Sequence, residues 1–119
     1  MPSIPNKPGH IRLIEGRKNV FLPLSAITRI EGINKCIRLH QTVGKPYLTS
    51  LTMKVLLVRY PGQFLRIDPS HAVRLTDIMR VDMKRRRVEL VGGTVLPMAV
   101  TYKDEVWEAW QGHIIRQEA

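Results

Sequence analysis

The side chains best suited to chemistry fall in one short segment, Asp68-Pro69-Ser70-His71. An acid, a hydroxyl and an imidazole are the parts of a hydrolytic triad, in which the ring takes the hydroxyl proton and the carboxylate orients the ring. Triads are usually gathered from distant segments into one geometry, and groups this close in sequence rarely converge that way. The segment is therefore read as a turn, and no catalytic residue is assigned. His10, His40, His71 and His113 show neither HExxH nor paired spacing, so no metal site and no cofactor is expected. Cys36 is the single cysteine and cannot close an internal disulfide. Lys35 and Arg38 beside it favour the thiolate, although a small buried residue is the commoner role.

The stronger chemical signal is charge. The 119 residues carry 19 Lys and Arg against 10 Asp and Glu, a net charge of +9. Such a balance favours polyanionic partners, nucleic acid or an anionic surface. It is unevenly placed: residues 1–101 hold 17 basic and 6 acidic side chains, whereas residues 102–119 hold 2 and 4. The C-terminal segment is thus not expected to meet a polyanion. The run Lys84-Arg85-Arg86-Arg87 is either a solvated turn or a phosphate contact. No apolar run approaches the ~20 residues of a membrane span, and the N-terminus lacks the pattern of a signal peptide. No membrane partner and a cytoplasmic location are expected.

These residues must be held by elements that the patterning predicts. Residues 1–9, with three prolines and a glycine, read as a tail. A strand is expected over His10–Ile14 and an extended run over Asn19–Leu24 that is broken by Pro23. Ile27–Glu31 reads as a strand in which two-residue alternation fails, because Ile27 and Ile30 are three apart. Cys36–Thr42 alternates cleanly, setting Ile37 and Leu39 on one face and Arg38 and His40, expected to be exposed, on the other. It can pair with Pro46–Thr49. Ser50 is placed to cap a buried helix over Leu51–Tyr60, with Leu51, Val55 and Val58 at helical spacing, Met53, Leu56 and Leu57 widening the stripe, and Pro61-Gly62 stopping it. Two β-branched runs about Gly92-Gly93 predict a hairpin. Thr101 with Asp104 opens a helix through about Ile115, with Val106, Trp110 and Ile114 on its core face. Trp107 and Trp110 suit core packing or a dimer contact better than base stacking. With many short strands and no strand–helix alternation, the class is mainly β with accessory helices.

Phe64 to Asp82, FLRIDPSHAVRLTDIMRVD, resembles the central signature of the LytTR family, bacterial DNA-binding domains of the LytR/AlgR/AgrA type. Phe64, Arg66, Ile67, Ser70, Val73 and Ile78 fall where the family pattern puts them, and Asp68, Pro69 and Arg74 depart from it. Around this segment, Ile27-x-x-Ile30-Glu31, the strand Ile37-Arg38-Leu39-His40, Ser50-Leu51, Leu96-Pro97-Met98 and Tyr102 occur in the family's order, over roughly Asn19 to Gln111. The resemblance implies an elongated stack of antiparallel β-sheets with two or three short helices. It also implies binding of duplex DNA through loops entering successive major grooves.

Carried onto this chain, it implies DNA contact from Asn34, Lys35, Ile37 and Arg38, from Pro69, Ser70 and His71, and from Val100 and Thr101. Arg66 and Arg86 match backbone-contacting positions, with Lys35, Arg85 and Lys103 nearby. Ile37, Asp68, Pro69 and Val100 stand where hydrogen-bonding base readers are common, so phosphate contacts are better kept than base readout. The expected organisation is a tail and lead-in strand over residues 1–18 and one DNA-binding domain over residues 19–119. With only Met1 to Lys18 preceding it, no receiver domain is expected. The function implied is a sequence-specific duplex-DNA-binding transcriptional regulator, with a second copy or a regulatory protein as a further partner. The alternative is a LytTR-like protein-interaction module, or a non-specific nucleic-acid binder without base readout.

Overall fold

Short turns between apolar runs dictate antiparallel pairing, since parallel neighbours need long crossovers. The computed structural model describes residues 9–15 and 17–118, with the backbone alone at residues 15, 117 and 118. The expected tail lies, but for Gly9, outside the described residues. In chain order the elements are β1 (His10–Glu15), β2 (Lys18–Pro23), β3 (Ile27–Ile33), β4 (Cys36–Gln41), β5 (Tyr47–Thr49) and α1 (Met53–Arg59). There follow β6 (Phe64–Asp68), β7 (His71–Arg74), β8 (Ile78–Asp82), β9 (Arg87–Leu90), β10 (Val95–Pro97) and α2 (Val100–Glu118), with 3-10 turns at Leu24–Ala26 and Leu75–Asp77.

The strands form three antiparallel sheets: β1-β2, β5-β4-β3-β7-β6 and β10-β9-β8. This is the mainly β, antiparallel stack that the sequence implies, elongated at 50 × 36 × 26 Å. Two expectations about helices need correction. α2 is 19 residues long and begins at Val100, so Thr101 lies inside it rather than capping it.

Two cores flank the central sheet. β1 and α1 cover one face, where Ile11, Leu13, Ile30, Leu39, Leu56 and Phe64 pack together. The β8–β10 sheet and α2 cover the other face at β6 and β7, around Ile67, Val73, Val81, Val88, Leu90 and Val106. Adjacent Ala72 and Val73 enter different cores because successive strand residues point to opposite faces.

The failed alternation in β3 has a cause. Its pairing with β4 shifts register between Ile27 and Arg29, a bulge that returns Ile27 and Ile30 to the same face, and both are fully buried. The same device between Ile78 and Arg80 sets Ile78 and Val81 in one core.

The second correction concerns α1. Its cap is Thr52, whose hydroxyl accepts from the Val55 N–H, and not Ser50. Two residues later than expected, the helix turns Met53 and Leu56 inward, whereas Val58 is 73% exposed and Val55 is exposed too. Of the expected stripe, Met53 and Leu56 are buried and Leu51 and Leu57 pack against the first core, but Val55 and Val58 face outward, so α1 is not buried along the whole stripe.

Candidate nucleic-acid interface

Because β3, β6, β8 and β10 run in the same sense within their sheets, the turns that follow them gather at one end. Backbone hydrogen bonds tie these turns in a row. The Gly32 N–H donates to the Ser70 carbonyl at 2.7 Å, joining the β3–β4 and β6–β7 turns. Ala99 N–H donates to the Ile67 carbonyl at 2.8 Å, joining the start of α2 to the end of β6. Met98 N–H donates to the Arg86 carbonyl at 2.8 Å, adding the β8–β9 turn. Segments far apart in sequence thus make one edge.

Local conformation fixes each turn. Asn34-Lys35 links Ile33 to Cys36 as a two-residue loop, with Asn34 at φ 53°, a conformation asparagine tolerates better than most residues. Arg86 sits at φ 54° in the Met83–Arg86 turn, where only glycine is free of steric cost. The Asp82 carboxylate accepts the Arg85 N–H at 3.0 Å and lies 3.8 Å from its guanidinium. In the β6–β7 turn, Asp68 Oδ1 accepts the Ser70 N–H at 2.7 Å, and the carboxylate meets His71 Nδ1 at 3.0 Å. The Asp68 charge is engaged by the turn itself rather than projected outward. Arg66 Nη2 donates to the Pro69 carbonyl at 2.7 Å, while its Nε is buried with no hydrogen-bond partner.

Behind these turns a polar network crosses the sheet. Glu31 on β3 meets Arg38 at 3.2 Å and His40 at 3.1 Å on β4, and His71 on β7 at 3.9 Å. Strand alternation puts all of them on the face opposite the first core. The hydrogen bond from His40, more than the nearby guanidinium charges, holds the Glu31 carboxyl below the usual range. Burial holds His40 below the usual imidazole value, outweighing the attraction of Glu31. His40, expected to be exposed, is instead half-buried and paired. Finding this needed the β3–β4–β7 register, which sequence spacing does not supply.

The sequence-derived site residues divide. Asn34, Lys35, Pro69, Ser70, Arg85, Arg86, Val100 and Thr101 are exposed on the turn edge, and Lys103 is half-buried one turn into α2. Arg66 and His71 are partly buried and brace the β6–β7 turn. Arg38 is half-exposed and occupied by Glu31. Ile37 departs from the expectation: only 2% exposed, it packs in the first core, because alternation along β4 turns it the same way as Leu39. Thr52 and Lys54 of α1 were not anticipated beside the first turn, since that helix was expected to be buried. Trp110 packs against the second core, and Trp107, 5.8 Å from it between ring centroids, stays more exposed. Among the described residues no group of His, Cys, Asp and Glu is placed to hold a metal ion. No helix there is long and apolar enough to cross a membrane.

Comparison with known proteins agrees with this architecture. No curated protein sequence matches the chain. Among solved structures, the LytTr DNA-binding domain of a methyl-accepting/DNA response regulator from Bacillus cereus superposes with a TM-score of 0.71. The match covers 87% of this chain and 97% of that one at 14% sequence identity, so the likeness is one of fold. A model of the LytTr DNA-binding domain family matches residues 17–111, which include the turn edge, the second core and all of the first core but Ile11 and Leu13. The chain belongs to the LytTR family of DNA-binding domains.

Proposed function

We propose that this protein is a sequence-specific, duplex-DNA-binding transcriptional regulator that acts without catalysis. The observation that carries this reading is the hydrogen-bonded row of turns at one end, which offers Lys35, Lys84, Arg85, Arg86 and Lys103 together. The carboxylates within these turns, Asp68 and Asp82, are already engaged there. Phosphate contacts give affinity and register, and base edges give specificity. Lys35, Arg66, Arg85, Arg86 and Lys103 supply the first role. Asn34, Ser70 and Thr101 can hydrogen-bond to base edges, and exposed Pro69 and Val100 can rest on thymine methyl groups. His71 and Arg38 hold the second turn and the first strand pair in place, and Ile37 supports the first turn from the core.

Two binding measurements test this. In a salt titration on duplex DNA, neutralising about six phosphates gives a slope of roughly −5 in log K against log salt. Selection of bound sequences from a random pool should then enrich one motif. Binding without an enriched motif would refute sequence specificity, and absence of binding at low salt would refute the reading altogether.

A further inference from the structure

A groove of about 260 Å³ opens beside the first turn, between the β3–β4 turn, the start of α1 and the end of β6. Its rim carries Lys35, Lys54 and Arg66, with the Asn34 amide and the Thr52 hydroxyl between them, over an apolar floor that includes Ile37 and Met53. Among the described residues no carboxylate lines it, in a chain with ten Asp and Glu. Thr52 Oγ1 already accepts from Val55 N–H, so its own proton is left to donate. Arg66 is held by the Pro69 carbonyl through Nη2, and its buried Nε has no partner.

We propose that this groove seats a single phosphate oxyanion, with Lys54 and Thr52 of α1 as its unassigned half. Three cations line it, with a hydroxyl and an amide donor and no acid among its lining residues, and such a set suits a tetrahedral oxyanion better than a cation or an apolar ligand. The volume of about 260 Å³ is ample for a phosphate group. This rests on the DNA-binding reading in one respect: in the complex the seated group is a phosphate of the duplex backbone next to the first turn. Free phosphate shares the chemistry and is tested separately. α1 thereby becomes part of the DNA-facing surface, which the turn edge alone does not include.

The experiment compares the intact protein with Lys54→Gln, Lys54→Arg and Arg86→Ala by salt-titrated binding to random and selected duplexes. Orthophosphate is titrated at constant ionic strength and followed by backbone amide shifts. The expected result is that Lys54→Gln weakens both duplexes equally, roughly fivefold at 0.1 M salt, and flattens the salt slope by about 0.9. Lys54→Arg should restore it. Orthophosphate shifts confined to Gly32, Asn34, Lys35 and Lys54 would show that the seat also takes the free ion. Flattening without them assigns the seat to a duplex phosphate alone. A slope unchanged in Lys54→Gln but flattened in Arg86→Ala would overturn the proposal and leave the DNA-binding reading standing. If the intact protein binds no duplex, that reading falls, and orthophosphate decides: shifts in the groove keep the seat, and none refutes it.

Discussion

Arg86 and Asp68 show how single residues on the turn edge trade stability against display. Arg86 holds a left-handed backbone conformation at φ 54° with its side chain exposed. A non-glycine residue there costs on the order of 1 kcal/mol, a strain tolerated where the side chain is needed. Arg86→Gly should therefore raise the unfolding free energy in urea by about 1 kcal/mol while weakening duplex binding for all sequences alike. A stabilised variant that binds as well as the parent would remove Arg86 from the interface. Asp68 works the other way, since its carboxylate closes the β6–β7 turn on Ser70 N–H and His71. Asp68→Ala should cost about 0.5–1.5 kcal/mol by removing the turn's hydrogen bonds, and Asp68→Asn, which keeps an acceptor for Ser70 N–H, clearly less. Equal losses in the two variants would mean that the carboxylate's contact with His71, not the turn, is what Asp68 serves.

Among elements, the β4–β3–β7 network makes stability depend on pH. His40 is held below its ordinary value of 6.5 by burial, so as pH falls through 6.5 the unfolded chain takes up a proton before the folded one does. Glu31, held below 4.5 chiefly by the His40 hydrogen bond, contributes stability that is present above 4.5 and lost as pH falls through its lower folded value. Both effects have the same sign. The melting temperature should decline from pH 7 to pH 5 and again below 4.5. His40→Gln should flatten the upper limb, and Glu31→Gln the lower. A melting temperature flat over both windows would contradict the network.

Strands and hairpins were legible where alternation was clean, as in β4, β5 and the Gly92-Gly93 hairpin. β3 was legible as an element but not in register: apolar residues three apart mark a bulge only once its partner strand is known. The start of α1 was misjudged because Ser50 and Thr52 are both acceptable caps, and its burial was overjudged because Val55 and Val58 lie on the side of the helix away from Met53 and Leu56. The turn edge was legible through family resemblance in its residues, but the Gly32–Ser70, Ile67–Ala99 and Arg86–Met98 bonds that assemble it are tertiary. The groove beside α1 was hidden for the same reason.

At the scale of the molecule, one sheet carries both cores. Phe64 and Ile67 on β6 face opposite cores, so β6 and β7 are the shared wall. Ile67→Ala should cost about 2–5 kcal/mol, and unfolding should remain a single transition because loss of the wall undoes both sides. Two separated transitions would mean that the cores unfold independently. The same architecture sorts the turns into two ends. Lys35, Ser70, Arg86 and Thr101 lie at one; Val43–Lys45, Leu75–Asp77 and Gly92-Gly93, which close the return strands, lie at the other. Net charge alone would let any basic surface bind, including Lys45 at the far end. The most direct test is therefore a backbone amide shift map of the protein titrated with duplex DNA. Shifts should concentrate at Asn34-Lys35, Asp68–His71, Lys84–Arg87 and Ala99–Lys103, with little change at Val43–Lys45 and Gly92-Gly93. A map centred on those far turns, or spread evenly over all basic residues, would contradict the assignment of this edge to DNA.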